Sequence, residues 1–397
     1  MEIKQYSGDV RLFWFASGAF LITVPVGCRG KPATNKHRMN KELSSFAARL
    51  RGMISDFRFP ISDFPALALE LFSLQFQHNP AYRKICEARK LTPQSIEHWT
   101  QIPAVPTSAF KELELTSLAP AERTVVFHSS GTTEQKPSRH FHCADSLAVY
   151  EASLWKTIEL RFGSTGDLVF LTPPKASAPN SSLVHMFDAV RQKFGLPLSV
   201  FTGNIAADGA WALDFALTIQ KLKSAVKTGS PLTLLGTAFS FVHLLDHLAE
   251  KNLQFHLPEG SRVLETGGYK NRSRTLPKAE LHDLITERLG VPRKNIVCEY
   301  GMSELSSQAY DREVRSQKSE VRSFHFPPWA RVQITSPETG REVGEGETGI
   351  IRVFDLANVF SVAAIQTEDL GVRRGDGFEL IGRAQLAEPR GCSLMTA

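Results

Sequence analysis

Only five cysteines occur among the 397 residues, at positions 28, 86, 143, 298 and 392, and none forms a Cys-x-x-Cys pair. Thiols this sparse and widely spaced exclude a disulfide framework and a cysteine-built zinc site, and they make a reducing cytoplasm the expected compartment. Dense blocks of positive charge are missing too. Lys plus Arg (46) exceeds Asp plus Glu (41) for a net charge of +5, but the excess is spread along the chain. Nucleic acid is therefore not expected as a partner, whereas a small anionic substrate suits the balance. Neither an internal repeat nor a low-complexity tract is present. Long apolar runs are scarce. The contender, "LFWFASGAFLITVPVGC" at 12–28, has 17 residues with Gly18 and Pro25 inside it, and no small-x-small cleavage site follows. That is short for a membrane span and weak for a signal peptide. Residues 1–38 are expected to be an extension outside the fold, as from a start codon assigned too early. A membrane-directing segment is the alternative, and membrane contact is otherwise not expected.

What is present is ordinary globular material, 42% hydrophobic and 22% charged. A chain of this size can bury a core without a disulfide or metal staple. Residues 39–120 are expected to form a helical N-terminal region. "FPALALELFSLQFQHNPAYRKICEARK" repeats apolar residues at three and four, and "IPAVPTSAF" then breaks helix with two prolines. Residues 121–321 are expected to form an α/β core. Short β-rich runs ("TVVFHSS", "DLVFLTP", "LTLLGTA", "SRVLETGG", "NIVCEYG") alternate with helical stretches such as "TAFSFVHLLDHLAEKN". From about 322 to 397 the chain reads as a β-rich subdomain. Ligands of open α/β sheets sit beyond the carboxyl ends of the strands, which gathers the Gly-rich and polar breaks onto one rim.

Four segments on that rim can carry chemistry. In "SSGTT" (129–133), Gly131 allows a sharp turn that presents N–H groups, and Ser129, Ser130, Thr132 and Thr133 add hydroxyl donors for phosphate oxygens. Arg139 can add a charged fork. The segment departs from a P-loop, because Glu134 follows where lysine would stand, and a loop with local Ser/Thr hydrogen bonds explains it equally. In "CEYGMSEL" (298–305), Tyr300 at a strand end can stack on a flat base, and Glu304, three residues past Gly301, can hold magnesium through oxygen. The plain alternative is a strand, a turn and a capped helix start. In "TEDLG" (367–371), Asp369 can accept from both hydroxyls of a ribose, or be an ordinary turn acid. In "IGRAQLAEPRGCSL" (381–394), Arg383 follows Gly382, and Cys392 lies close to the terminus. A terminal thiol can swing into a site, with Arg390 lowering its pKa, or be incidental. Cys86, Cys143 and Cys298 are expected to pack as small hydrophobes.

Taken in order, "SSGTT", "ETGGY", "EYGMSE", "TEDLG" and "GR" resemble the adenylate-forming superfamily of acyl and aryl ligases. The details "SSGTT…SRH", "IPAVPTSAFKELEL" and "RGCSL" make the chain similar to its LuxE-type acyl-protein synthetases, over about residues 60–396. The resemblance implies the large-domain fold of that superfamily: a helical N-terminal region, central α/β sheets and a C-terminal β subdomain, without the mobile C-terminal lid. It implies ATP with Mg2+, a carboxylic acid substrate (a fatty acid is the family expectation), and delivery of the acyl group to an acyl reductase partner. Ser129, Ser130, Gly131, Thr132 and Thr133 would line the ATP phosphates. Gly267 and Gly268 would form part of the adenine and acyl wall, and Tyr300 would stack near the adenine beside Gly301. Glu304 would hold magnesium, Asp369 the ribose hydroxyls, and Arg383 the ribose or phosphate. His185, in "SSLVHMF", would lie beside the acyl pocket or else be a packed core histidine. Cys392 would be the acylated nucleophile.

Two departures stand out. Glu134 occupies a position that is glycine in most of the superfamily, and a carboxylate there repels a triphosphate unless it points away or faces the metal. The chain also stops just after the "GR" element, without the lid and its lysine; that favours the LuxE type over coenzyme A ligases similar to phenylacetate–CoA ligase. A nucleotide-binding scaffold on a degenerate ligase fold is the reading from another class, with Glu134 as its motive.

Overall fold

The computed structural model describes residues 36–56, 59–129, 136–162, 166–267, 274–315 and 320–383. Three helices open the chain: Lys36–Ser55, Phe64–His78 and Pro80–Ala88. The first buries Leu43, Phe46, Ala47, Leu50 and Ile54, a three-and-four spacing that makes one apolar stripe. It packs on the later helix Ala144–Phe162. Asn79 separates the second helix from the third, and its side chain caps Tyr82 N at 3.1 Å while Pro80 starts the new helix. The expected helicity over 89–118 gives way to short 3-10 turns at Pro93–Ser95 and Trp99–Gln101, a two-residue strand at Val105–Pro106 and one turn of helix at Ala109–Glu112. Pro93, Pro103 and Pro106 remove the donors a longer helix needs.

The N-terminal helices are bolted to the far end of the chain by amide side chains. Gln75 donates from Nε2 to the Asn358 carbonyl at 2.8 Å and accepts from Ala363 N at 2.9 Å. Asn79 donates to the Ser361 carbonyl at 3.2 Å. Both are fully buried, so these bonds satisfy a loop that has no strand partner of its own.

A twelve-stranded sheet forms the centre. Its parallel half runs in the order Val200–Phe201, Asp167–Phe170, Leu232–Thr237, Arg262–Thr266 and Ile296–Tyr300. Side chains alternate between two covered faces. Val169, Leu234 and Val263 join the core under helices Phe215–Thr228, Ala238–Glu250 and Lys278–Leu289. Leu168, Phe170, Leu235 and Leu264 join the core under Ala144–Phe162 and Ser182–Phe194. Burial on both faces is why these strands read as continuous apolar runs.

The chain then turns and adds antiparallel strands in the order Ala309–Arg315, Glu320–His325, Gly377–Arg383, Ala364–Arg374, Thr348–Asp355 and Ala330–Thr335. The first of these starts at Ala309, before the β-rich region expected from about 322. Its charged look hid it. Asp311 is buried because Arg322 of the next strand clasps it at 2.7 and 2.9 Å and Cys298 N donates to it at 2.7 Å. Cys86 and Cys298 are buried and Cys143 is half-buried, all as free thiols. Among the described residues no helix is long and apolar enough to cross a membrane.

Candidate active site

The carboxyl ends of Leu232–Thr237, Arg262–Thr266 and Ile296–Tyr300 share one rim of the sheet. A hairpin of Val125–His128 with Arg139–His142 contributes a separate ribbon that also reaches the segment after Tyr300. Its residue His140 meets the Ser303 carbonyl at 2.9 Å through Nδ1. Burial pushes the His140 imidazole down to about 4, so the neutral ring donates from Nδ1 to that carbonyl. Ser138 Oγ lies 3.3 Å from Ser303 Oγ, and Ser303 Oγ in turn donates to Glu304 Oε2 at 2.9 Å. Ser138 N donates to Ser129 Oγ at 2.9 Å. A chain of hydroxyls thus runs from Ser129 and Ser138 to the Glu304 carboxyl.

Glu304 is 5% exposed. Burial raises its pKa, and the hydrogen bonds from Ser138 and Ser303 oppose that only in part. Its backbone carbonyl accepts from Asn358 Nδ2 at 2.9 Å, which fixes the turn. No group of three or more His, Cys, Asp or Glu that could hold a metal exists among the described residues. A metal here would rest on one carboxylate and on oxygens of a ligand, the pattern of magnesium held with substrate phosphates. A desolvated carboxyl served by hydroxyls but by no described cation fits that pattern, because a nearby cation offsets the cost of its charge.

The second part of the site is a tyrosine–aspartate pair. Tyr300 OH donates to Asp369 Oδ2 at 2.9 Å. The Tyr300 ring is set edge-on to Phe378 at 5.1 Å and tilted to Phe324 at 5.9 Å, which fixes the hydroxyl. Asp369 is half-buried and stands opposite Arg383 in the antiparallel ladder. Burial raises the Asp369 pKa, while the Tyr300 hydroxyl and the Arg383 charge pull it back. Thr367 Oγ1 accepts from Asp369 N at 3.1 Å and so sets the backbone of the turn. A carboxylate held on one oxygen and open to solvent on its other side can accept hydroxyl groups of a ligand.

The third part lies between two strand ends. Gly267 has φ of 70°, a conformation that favours glycine, and faces open space. Just before it, Thr266 Oγ1 donates to the Glu299 carboxylate. Burial pushes Glu299 up to about 7, with the Glu265 charge adding to the rise and the Thr266 hydroxyl opposing it.

Ser129, Gly267, Tyr300, Gly301, Glu304, Asp369 and Arg383 therefore sit on connected strand ends. Arg139 and His185 stand apart from them. Arg139 lies on the opposite face of its strand from His140, 3.4 Å from Glu114, with its guanidinium 5.8 Å from the Phe141 ring. His185 is packed against Phe127 at 5.1 Å and Tyr150 at 5.6 Å. Its Nε2 comes within 3.4 Å of Glu151 Oε1 but is not aligned to bond, and neither ring nitrogen has a hydrogen-bond partner. Ser130, Gly131, Thr132, Thr133, Glu134, Gly268 and Cys392 lie outside the described residues. Ser138, His140, Ser303, Thr266 and Glu299 are the participants that motif reading did not assign. The "SRH" tripeptide was the available signal for two of them.

Comparison with known proteins supplies three findings. The family described as "Acyl-protein synthetase, LuxE" matches residues 60–397. The long-chain-fatty-acid–luciferin-component ligase of Aliivibrio fischeri is 24% identical over 351 residues, covering 83% of this chain and 87% of that protein. The Vibrio harveyi protein of the same description is 23% identical over 339 residues, covering 81% and 84%. Among solved structures, 2-hydroxyisobutyryl-CoA ligase in complex with 2-HIB-AMP and CoA superposes with a TM-score of 0.58 at 15% identity, over 82% of this chain and 69% of that one.

Proposed function

Because the chain belongs to the LuxE acyl-protein synthetase family, we propose that it is an ATP-dependent, AMP-forming ligase that activates a carboxylic acid as an acyl-adenylate. The observation that carries this reading is the joint placement of a hydroxyl-served, buried Glu304 and an oriented Tyr300–Asp369 pair at neighbouring strand ends. The first suits the phosphate and metal end of a nucleotide, the second its sugar and base. In the reaction a carboxylate oxygen of the acid attacks the α-phosphorus of ATP, the acyl-adenylate forms, and pyrophosphate leaves. Negative charge builds on the phosphate oxygens, and fixed donors held in place beforehand stabilise it. Ser129 and Ser138 are such donors, with Ser130, Gly131, Thr132 and Thr133 completing the loop. Glu304 would hold magnesium, which supplies positive charge to the phosphate oxygens when bound. Asp369 accepts from the ribose hydroxyls while Tyr300 orients it, Arg383 contacts ribose or phosphate, and Gly267 with Gly268 lets the base approach closely.

The acid is a fatty acid, in line with the described activity of the two relatives. His185, inside the apolar cluster between two helices and the sheet, borders the chain-binding side. In the second step a thiolate sulfur attacks the acyl carbon and AMP leaves. We assign that sulfur to Cys392, from which the acyl group passes to an acyl reductase. The five scattered cysteines place the protein in the cytoplasm.

Intact-mass analysis after incubation with ATP, magnesium and a mixed pool of carboxylic acids tests the reading. An added mass equal to one acyl group, mapped to Cys392 and absent from Cys392→Ser, is the expected result. A coenzyme A thioester formed at an unchanged rate by Cys392→Ser would instead make the protein a coenzyme A ligase.

A further inference from the structure

We propose that Glu299 is a positioning residue for adenylation, its carboxyl group bridging the ends of two adjacent strands and fixing the spacing between Gly267 and the Tyr300–Gly301 turn. The inference rests on the adenylation reading, because those two segments are the ones assigned to the nucleotide. Glu299 and Thr266 are opposite each other in the parallel ladder between Arg262–Thr266 and Ile296–Tyr300. Thr266 is the last residue before Gly267, and Glu299 the last before Tyr300. One carboxyl oxygen, Oε2, accepts from Thr266 Oγ1. The other, Oε1, folds back over Gly301, so close that a Cβ placed there would meet it at 2.2 Å. One side chain therefore touches both turns.

The surroundings give this bridge an acid's character. Glu299 is 5% exposed. Glu265 faces it from the strand of Thr266, Tyr310 from Ala309–Arg315, where the two residues are paired, and Tyr150 from Ala144–Phe162. None of these is a cation, and no described basic group contributes to its shift. The carboxyl consequently changes charge close to neutral pH, where the hydrogen bond from Thr266 is strongest to the ionised form. Tether strength and the geometry of the nucleotide wall are thereby coupled to pH. An acid buried only for packing would affect folding but not the pH dependence of nucleotide use.

The test measures carboxylate-dependent exchange of pyrophosphate into ATP across about pH 5 to 9 on the full chain, for wild type, Glu299→Gln, Glu299→Leu and Thr266→Val. Glu299→Gln keeps an acceptor for Thr266 and is expected to retain exchange within about threefold while losing the inflection near neutral pH. Glu299→Leu is expected to raise the KM for ATP about tenfold or more, with a smaller change in kcat. Thr266→Val removes a hydroxyl that favours the ionised carboxyl, so it moves the inflection upward, and it keeps the side-chain volume if Glu299→Leu fails to fold. A Glu299→Gln profile with the wild-type inflection, or a Thr266→Val profile that does not shift, overturns the inference while leaving the adenylation reading intact. If wild type shows no exchange with any carboxylate, the adenylation reading fails first. ATP binding by calorimetry over the same pH range then decides: loss of its pH dependence in Glu299→Gln upholds the tether, and unchanged dependence, or no ATP binding by wild type, overturns it.

Discussion

Removing the Asp369 carboxylate is the sharpest perturbation of the proposed nucleotide site. The residue accepts from Tyr300 OH at 2.9 Å on Oδ2, and its backbone is fixed by Thr367 Oγ1 at 3.1 Å. One oxygen remains for ribose hydroxyls. Hydrogen bonds to a charged acceptor contribute about 1.5–3 kcal/mol each, so losing the ribose contacts in Asp369→Ala is expected to weaken ATP binding roughly 10- to 100-fold. Tyr300→Phe keeps the ring that packs on Phe324 and Phe378 and removes only the hydroxyl. Its effect comes through the orientation of Asp369, so it is expected to be smaller, about threefold to tenfold, and nearly absent once Asp369 is alanine. The assay is calorimetric titration with ATP and with 3′-deoxy-ATP for the two single variants and the double variant. Wild type discriminates between the nucleotides and Asp369→Ala does not. Asp369→Ala binding ATP within twofold of wild type, or additive effects in the double variant, would refute the assignment.

Other consequences follow from the same geometry. Gln75→Leu strips partners from the Asn358 carbonyl and Ala363 N in a buried loop, and about 2–5 kcal/mol of stability is expected to go, read as a lower denaturant midpoint with unchanged slope. His140 has its folded-state pKa lowered to about 4 by burial, from an ordinary 6.5, so the folded protein resists protonation there. The stability this gives is fully present above about pH 6.5 and is lost as pH falls toward about 4, by up to about 3 kcal/mol. His140→Asn, whose amide can donate to the Ser303 carbonyl, is expected to flatten this acid limb in urea titrations run at successive pH values; an unchanged limb would place the His140 proton elsewhere.

Much of the fold is legible in the sequence for a physical reason. The strands Asp167–Phe170, Leu232–Thr237, Arg262–Thr266 and Ile296–Tyr300 are buried on both faces, so their apolar runs stand out and end in the polar or Gly-rich breaks that form the rim. Tyr300, Gly301, Glu304, Asp369 and Arg383 are legible because each belongs to a short ordered motif. The hydroxyl chain to Glu304 is not, because His140 and Ser303 are 163 residues apart and only the folded ribbon joins them. Ala309–Arg315 is obscured because Asp311 becomes a core residue only when Arg322 pairs with it. Glu299 reads as an ordinary strand acid until Thr266 is placed beside it and Gly301 beneath it. Periodicity also overstates helix across 89–118, where prolines cut the backbone into turns.

The central claim is that Glu304 and the hydroxyls around it serve an ATP-dependent activation of a carboxylic acid. Exchange of labelled pyrophosphate into ATP, with and without added fatty acid, tests it most directly on wild type, Cys392→Ser and Glu304→Gln. Wild type and Cys392→Ser are expected to exchange at similar rates and only with acid present. Glu304→Gln, which keeps the shape but removes the charge, is expected to lose about 100-fold or more of that rate. Exchange by Glu304→Gln at the wild-type rate, or no acid-dependent exchange by any of the three proteins, would contradict the account.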